Sequence, residues 1–317
     1  MTNSYVLVEH ADGKLLPATG ELITAARVFG EVTAVVVGTP GVEAALAPAL
    51  GELGASVVYA AYSADANERI VLPATDALHM LAASNPAPIL IDAGAHGNEI
   101  AGRLAARLAS GVLCDVVGVN ADRTANMSIF GDTIEVTAAV GGNSPIYTLR
   151  PGAVDAVPAP TTPAVQAFEL PAAGVKDVKV TSFTPSAKGD RPDLAQAKVV
   201  IAGGRGVESA ENFGSLVESL ADALGGAVGA TRDAVDLGYY PPQFQVGQTG
   251  VTISPDLYIG LGISGAIQHV SGMQTSKKII VINNDEDAPF FQIADLGVVG
   301  DLHEIAPLLV EEINKRK

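Results

Sequence analysis

Residues 260–272 read Gly-Leu-Gly-Ile-Ser-Gly-Ala-Ile-Gln-His-Val-Ser-Gly and follow the apolar run Leu257-Tyr258-Ile259. Gly260, Gly262 and Gly265 spell G-x-G-x-x-G, the turn that lets backbone approach a dinucleotide pyrophosphate. Asp285, about twenty residues on, stands where a ribose-binding acid would fall, so a nicotinamide site is one reading. Ser264 also sits in a G-x-S-x-A context, close to a nucleophile elbow but without its closing glycine. A third reading makes Ser264 the cap of a helix whose N-terminus faces a pyrophosphate. His269, one of five histidines, then lies just over one turn along, within reach of a bound ring system. A lone histidine usually serves packing; its place after an anion-binding helix start is the argument for function.

Other apolar runs also end in glycines or neutral polar residues. Val199–Ala202 runs into Gly203-Gly204-Arg205-Gly206, where Arg205 offers a planar fork to phosphate or ribose oxygens. Ala227-Val228-Gly229 runs into Thr231-Arg232, where Thr231 is a good helix cap and Arg232 a fixed charge. Gln245-Val246-Gly247-Gln248-Thr249-Gly250 gathers amides and a hydroxyl without charge, which suits a neutral heterocycle. Ile279–Ile282 runs into Asn283-Asn284-Asp285, and Leu296–Gly300 reaches Asp301. In an open parallel sheet, ligands bind outside the carboxyl ends of the strands. Glycine there admits backbone N–H groups to a phosphate. Repeated strand ends of this kind point to one large phosphorylated cofactor.

The elements that must position these residues alternate. Tyr5–Glu9, Val32–Val37, Ser56–Ala61 and Ile89–Asp92 read as strands. Leu22–Phe29, Val42–Leu53, a stretch ending at Leu78–Ala83, and Ile100–Leu108 read as helices. This is the pattern of a parallel α/β sheet. After Leu113 come extended pieces at Ser128-Ile129, Ile134–Thr137, Ile146–Leu149 and Val178–Thr181, interrupted by the Pro- and Ala-rich PGAVDAVPAPTTPAVQ. The polar, Pro-flanked stretch Pro185–Pro192 is the expected boundary. It divides the chain into an N-terminal parallel-sheet α/β domain, residues 1–190, and a doubly wound α/β domain, residues 191–317.

Composition bounds the rest. The chain has 317 residues, 48% hydrophobic and 17% charged, enough to bury a large core. A net charge of −16 argues against nucleic-acid and anionic-membrane binding, which need basic clusters. Cys114 is the single cysteine, so no internal disulfide forms; in a strand-like run it is expected to be a small buried hydrophobe. No apolar run reaches about 18 residues, so no membrane insertion is expected. The start, which enters strand-like sequence at Tyr5, has neither transit nor secretory character, and a cytoplasmic, bacterial protein is expected. No H-E-x-x-H, C-x-x-C or EF-hand spacing occurs, and no metal site is expected.

Taken together, GGRG, GATRDAVDLG, QVGQTG, LGISGAIQH and INNDEDAPFFQIADLGVVGDL resemble the electron transfer flavoprotein α-subunit family. The opening YVLVEHADGKLLPATGELITAAR resembles the family's start. The likeness spans nearly the whole chain and is strongest over Val199–Leu302. It implies one FAD in the second domain of a heterodimer with a β subunit that carries AMP. It implies an electron carrier rather than a substrate-converting enzyme, serving fatty acid β-oxidation. Electrons would come from acyl-CoA dehydrogenases and pass to a quinone oxidoreductase of the membrane through a stabilised anionic semiquinone.

Carried onto this sequence, the resemblance implies FAD contacts at Arg205, Thr231, Arg232, Val246, Gly247, Gln248, Thr249, Ser264, Gly265, Ala266, Ile267, Gln268, His269, Asn283, Asp301 and Leu302. Thr249 would bond flavin N5, His269 would stand beside the C2 carbonyl, and Arg232 would lie over the ring. Ser264, Gln268 and Thr231 would hold the pyrophosphate, with Asn283 and Asp301 at the adenosine end. One added electron places negative charge near the N1–C2 carbonyl region, which Arg232 and His269 would stabilise. Two other readings remain: a nicotinamide-dependent oxidoreductase using Gly260, Gly262, Gly265 and Asp285, and a non-catalytic nucleotide-binding module.

Overall fold

A computed structural model describes residues 4–11, 13–130, 134–175, 177–184 and 191–317. The chain divides into two compact units, Met1–Thr184 and Pro185–Lys317. Of the expected linker, residues 185–190 lie outside the described residues.

The first unit is built on a nine-stranded sheet. Its strands are β1 (Ser4–Leu7), β4 (Val32–Gly38), β5 (Ala55–Tyr62), β6 (Ile89–Asp92), β7 (Val112–Val119), β8 (Ala125–Ile129), β9 (Ile134–Ala138), β10 (Ile146–Leu149) and β11 (Ala164–Glu169), in spatial order β11-β5-β4-β1-β6-β10-β7-β8-β9. A short antiparallel pair, β2 (His10–Ala11) and β3 (Lys14–Leu15), stands apart. Pairing is parallel from β11 through β7 and antiparallel from β7 to β9. Central strands such as Val-Thr-Ala-Val-Val-Val carry β-branched side chains to both faces, as a sheet covered on both sides requires. The cover is α1 (Pro17–Ala26), α2 (Glu43–Leu53), α3 (Leu72–Ser84) and α4 (Ala95–Leu108). Two apolar clusters, one around Val6, Ala34 and Leu50 and one around Leu7, Val35 and Leu78, fill the two faces.

Residues 151–163 of the Pro-Ala segment have no regular structure, yet they are tied down. Ala159 N donates to Glu52 O at 3.1 Å and Thr161 N to Gly51 O at 2.9 Å. Gly51 makes room for it, since a Cβ there would stand 2.8 Å from both Pro163 Cδ and Thr161 O. The latch delivers the chain to β11 at the far edge of the sheet. The extended piece read at Val178–Thr181 is not a strand; within it Lys179 forms an isolated bridge opposite Arg69.

Cys114 corrects the sequence reading, because its side chain is exposed. The strand period is broken beside it. Asp115 has φ +57°, the β10–β7 register shifts between Tyr147 and Leu149, and the Thr148 hydroxyl accepts a hydrogen bond from Asp115 N at 2.9 Å. A bulge of this kind turns two successive side chains outward.

The second unit holds five parallel strands, β12 (Val199–Gly203), β13 (Ala227–Ala230), β14 (Leu257–Leu261), β15 (Ile279–Asn283) and β16 (Leu296–Val299), in spatial order β13-β12-β14-β15-β16. After β13 the chain crosses back over β12, so the order reverses between β12 and β14. The longer helical cover is a run of α5 (Ala210–Asn212), a π-helical stretch (Phe213–Glu218) and α6 (Ser219–Leu224), together with α9 (Leu302–Arg316); α7 (Arg232–Asp236) and α8 (Ile267–Val270) are single turns. Alternate residues serve opposite faces: Ile201, Ile259 and Leu261 join Phe213, Leu220 and Ala306, whereas Val200, Ala202 and Tyr258 join Val246, Met273 and Phe290. The unit is a doubly wound α/β sheet.

Glu9, just past β1, is largely buried beside the like charge of Asp92. Burial first, and Asp92 second, push its carboxyl up to about 7. The folded value lies above the unfolded one, so this group's stabilising contribution is complete below about pH 4.5 and lost as pH rises through 7. Glu9→Gln is expected to be more stable than the parent by about 2–3 kcal/mol at high pH and to show no such gain near pH 4.5. Hydrogen-exchange protection of β1 in the two proteins checks this; equal protection at high pH would refute it.

Candidate functional site

The carboxyl ends of β12, β13, β14 and β15 open into one cleft of about 690 Å³. Its base lies at the point where strand order reverses, between β12 and β14, where open α/β sheets bind ligands. Two glycine turns meet there. Gly204 N donates to Leu261 O at 2.9 Å, and Gly206 N to Gly262 O at 3.1 Å. A Cβ on Gly206 would stand 2.9 Å from Gly262 Cα, and Gly262 itself has φ +62°. Side chains are excluded on both turns, and backbone alone forms this wall. Arg205 projects from it, exposed and without an ion pair among the described residues.

From β13 the chain enters α7. Thr231 caps that helix, its hydroxyl accepting from Ala234 N at 3.3 Å, so the capping role read from sequence holds. Arg232 follows, two-thirds exposed, with Nε 3.4 Å from Asp236 Oδ2. Both line the cleft, as does Asp233.

The uncharged segment 245–250 forms a second wall, clasped from both sides. Val246 N donates to Ala230 O at 2.9 Å, and Gln248 N to Gln268 O at 2.7 Å. Gly247, at φ +140°, lets α8 approach, since a Cβ there would lie 2.6 Å from Gln268 O. Thr249 Oγ1 accepts from Gln245 Nε2 at 2.9 Å, which leaves the hydroxyl proton to donate elsewhere.

Ser264 does not cap a helix. The cap position of α8 is Ala266, and helical backbone begins only at Ile267. The reason is geometric: Gly265, at φ +86°, turns the chain between them and packs on Phe290, to whose N–H the Ser264 carbonyl is bonded at 3.1 Å. The Ser264 side chain is exposed at the cleft. Asn283 is a buried clamp. Its Nδ2 donates to Ile263 O at 2.9 Å while its Oδ1 accepts from Asp285 N at 3.1 Å, tying the glycine turn to the end of β15.

His269 is 5% exposed, and both ring nitrogens are engaged within the chain. Nδ1 stands 3.1 Å from Val246 O and Nε2 2.7 Å from Tyr258 Oη. Burial lowers its pKa to about 4, against the opposing pull of the Val246 carbonyl, so the ring is neutral near pH 7. The fixed positive charge of the cleft therefore belongs to Arg205 and Arg232.

The structure brings together at the cleft Arg205, Thr231, Arg232, Val246, Gly247, Gln248, Thr249, Ser264, Ala266, Gln268, His269 and Asn283. Four residues named from sequence lie outside its lining. Gly265 is buried behind the turn, Ile267 is 68% exposed, Leu302 is in the core, and Asp301 caps α9 by accepting from His303 N at 2.8 Å. Sequence reasoning did not single out Asp233, Asp236 and Asn284, which also line the cleft. Asp236 had a readable signal, standing four residues after Arg232 on one short helix. Among the described residues, no helix is long and apolar enough to cross a membrane, and no group of three or more His, Cys, Asp or Glu is placed to hold a metal.

The lining fits a large dinucleotide. Its volume is in the range of cofactor sites. Glycine backbone and two arginines suit a pyrophosphate, and amides and hydroxyls suit a neutral ring.

Comparison with known proteins agrees. Residues 4–181 match the family model described as "Electron transfer flavoprotein domain", and residues 193–274 match "Electron transfer flavoprotein FAD-binding domain". The "Electron transfer flavoprotein subunit alpha" of Mycobacterium leprae (strain TN) is 53% identical over 318 residues, covering 100% of each chain. That of Mycobacterium tuberculosis (strain ATCC 25618 / H37Rv) is 55% identical over the same length and coverage. That of Syntrophomonas wolfei is 38% identical over 326 residues, covering 99% of this chain and 100% of the relative.

The neutral histidine has a thermodynamic consequence. Its folded pKa is depressed, so its contribution is complete above about pH 6.5 and is lost as pH falls toward 4. Between neutral pH and about pH 5 this amounts to about 2 kcal/mol. His269→Gln is expected to remove that part of the acid sensitivity. Hydrogen-exchange protection of residues 257–273 at both pH values reads it, and an unchanged acid loss in the variant would overturn the assignment.

Proposed function

The chain belongs to the electron transfer flavoprotein α-subunit family, and we propose that it holds one FAD in its second unit and acts as the electron-carrying subunit of a heterodimer with a β subunit that binds AMP. The proposed donors are acyl-CoA dehydrogenases and the proposed acceptor a membrane quinone oxidoreductase, in a cytoplasmic pathway of fatty acid oxidation. The observation that carries the reading is the clasped wall 245–250, which sets the Thr249 hydroxyl and neighbouring amides in the same cleft as two arginines. When bound, FAD would supply the one-electron chemistry.

The chain's own residues divide the remaining work. Arg205, Thr231, Ser264 and Gln268 would hold the pyrophosphate against the glycine wall. Thr249, already accepting from Gln245, would donate its hydroxyl proton to ring N5. His269 would pack beside the C2 carbonyl side as a neutral ring, and Arg232 would supply positive potential over the ring. Asn283 would border the adenosine end, and Asp301 would act there only through the start of α9. The walls would exclude water from all but the open side.

Two variants separate holding from tuning. Arg205→Ala is expected to weaken FAD retention by roughly 10–100-fold, as loss of a charge-assisted bond does, with little change in potential. Arg232→Ala is expected to make the flavin harder to reduce by roughly 40 mV for one electron, equivalent to about 1 kcal/mol at an exposed charge. Both follow from the absorbance spectrum and stepwise reduction of the chain purified with its β partner. A colourless preparation that takes up no FAD would refute the reading and favour the nicotinamide alternative. Full flavin content in Arg205→Ala with a displaced potential would reverse the two roles.

A further inference from the structure

The helical run after β12 changes its winding between α5 and α6. Phe213–Glu218 is the π-helical stretch, and the Ser219 hydroxyl donates to Gly214 O at 3.2 Å. In an α-helix, residues five apart point about 140° away from each other. In a π turn, bonded from i to i+5, they fall nearly one above the other. Phe213 and Glu218 are five apart, and both meet the same side chain. The Tyr240 ring stacks on Phe213 at 4.8 Å and 18°, and its hydroxyl donates to Glu218 Oε1 at 2.9 Å. A carboxylate only accepts, so the direction of that bond is fixed. Burial first, and Glu218 second, push the Tyr240 hydroxyl up to about 12, so it keeps its proton.

This socket touches the approach to both walls of the cleft. Phe213 lies against Gly203 at the end of β12, where a Cβ would stand 2.5 Å from its Cζ. Gly204, next in the chain, begins the glycine wall. Tyr240 meets the Phe244 ring at 5.0 Å, and Gln245, next in the chain, begins the wall that carries Thr249. Pro241 and Pro242 lock φ between Tyr240 and Phe244, so a shift of the tyrosine is passed on rather than absorbed. Glu218 Oε1 is itself held, because it also accepts from Arg191 Nη1 at 3.0 Å. The rest of that guanidinium donates to Asp222 at 2.6 and 2.9 Å.

We propose that Tyr240 is a positioning residue of the cofactor cleft: seated in the socket of Phe213 and Glu218, it fixes the wall 245–250 relative to the glycine wall and so sets where the Thr249 hydroxyl stands. The proposal rests on the reading that the cleft holds FAD. It deepens that reading by naming a residue outside the lining that controls the reach of Thr249. Tyr240 acts through the backbone that follows it, not by touching the ligand.

The test uses the full chain with its β partner, with flavin content measured on the same sample. Amide hydrogen exchange reads Val246, Gly247 and Gln248, whose N–H groups are bonded to the carbonyls of Ala230, Val251 and Gln268. The amides of β12 and β14 serve as the internal standard. Tyr240→Phe keeps the stacked ring and removes the tether. It is expected to speed exchange at 246–248 by roughly tenfold, as loss of a bond to a charged group does, and to leave the two strands unchanged. In a Glu218→Ala background it is expected to add nothing. With flavin bound, Tyr240→Phe is expected to shift the first one-electron equilibrium by roughly two- to tenfold, the worth of one hydrogen bond, with FAD retained. In a Thr249→Val background that shift is expected to vanish. Equal acceleration in the strands would make Tyr240 a general packing residue and overturn the proposal. So would unchanged exchange at 246–248, a bound flavin whose potential does not move, or a shift that persists without the Thr249 hydroxyl. A parent without flavin would defeat the cofactor reading alone, because exchange of the wall decides the positioning role with or without it.

Discussion

The second unit is organised around the close approach of two backbones. Gly206 and Gly262, at the ends of neighbouring parallel strands, lie where no side chain fits between them. That contact fixes how far β12 and β14 extend before turning, and so where the cleft begins. It puts peptide groups, not side chains, at the site's base, with Arg205 projecting beside them. Asn283 repeats the logic one strand over, its Nδ2 donating to Ile263 O in the turn 260–265 while its Oδ1 accepts from Asp285 N at the end of its own strand. The chemistry-bearing side chains then need only short tethers: a capped single turn for Thr231 and Arg232, and a clasped hexapeptide for Thr249.

Polarity in the cleft is arranged to the same end. Its neutral groups are pre-committed on one side, Thr249 by Gln245 and His269 by Tyr258 and Val246. Such groups meet a ligand with their donors and acceptors already oriented, so less ordering is left to binding. Its charges are the opposite. Arg232 is exposed and loosely paired with Asp236, and Arg205 is unpaired among the described residues. The pre-committed groups can set geometry, while the exposed arginines bring the positive charge.

Much of this was legible in the sequence. Alternating apolar runs gave the parallel sheets, and the glycine or amide residues ending those runs marked the cleft, because only a few residue types tolerate that backbone. What stayed hidden depends on the third dimension. Ser264 looked like a cap because serine before an apolar run usually is one, but Gly265 bends the chain and moves the helix start beyond it. Asp301 and Leu302 follow a strand end like the others, yet one caps a helix and the other enters the core. His269 was legible as a residue of the cleft. Its partner Tyr258 was not, since a tyrosine in an apolar strand reads as core until the fold shows what its hydroxyl meets.

The bulge at Asp115 leaves the chain's single thiol facing outward. A dye or spin label attached at Cys114 would therefore mark the first unit at one known point, with no competing cysteine to remove. A coloured ligand in the second unit's cleft would supply the other end of the measurement. The same irregularity that broke the strand pattern thus furnishes a molecular ruler between the two halves of the protein.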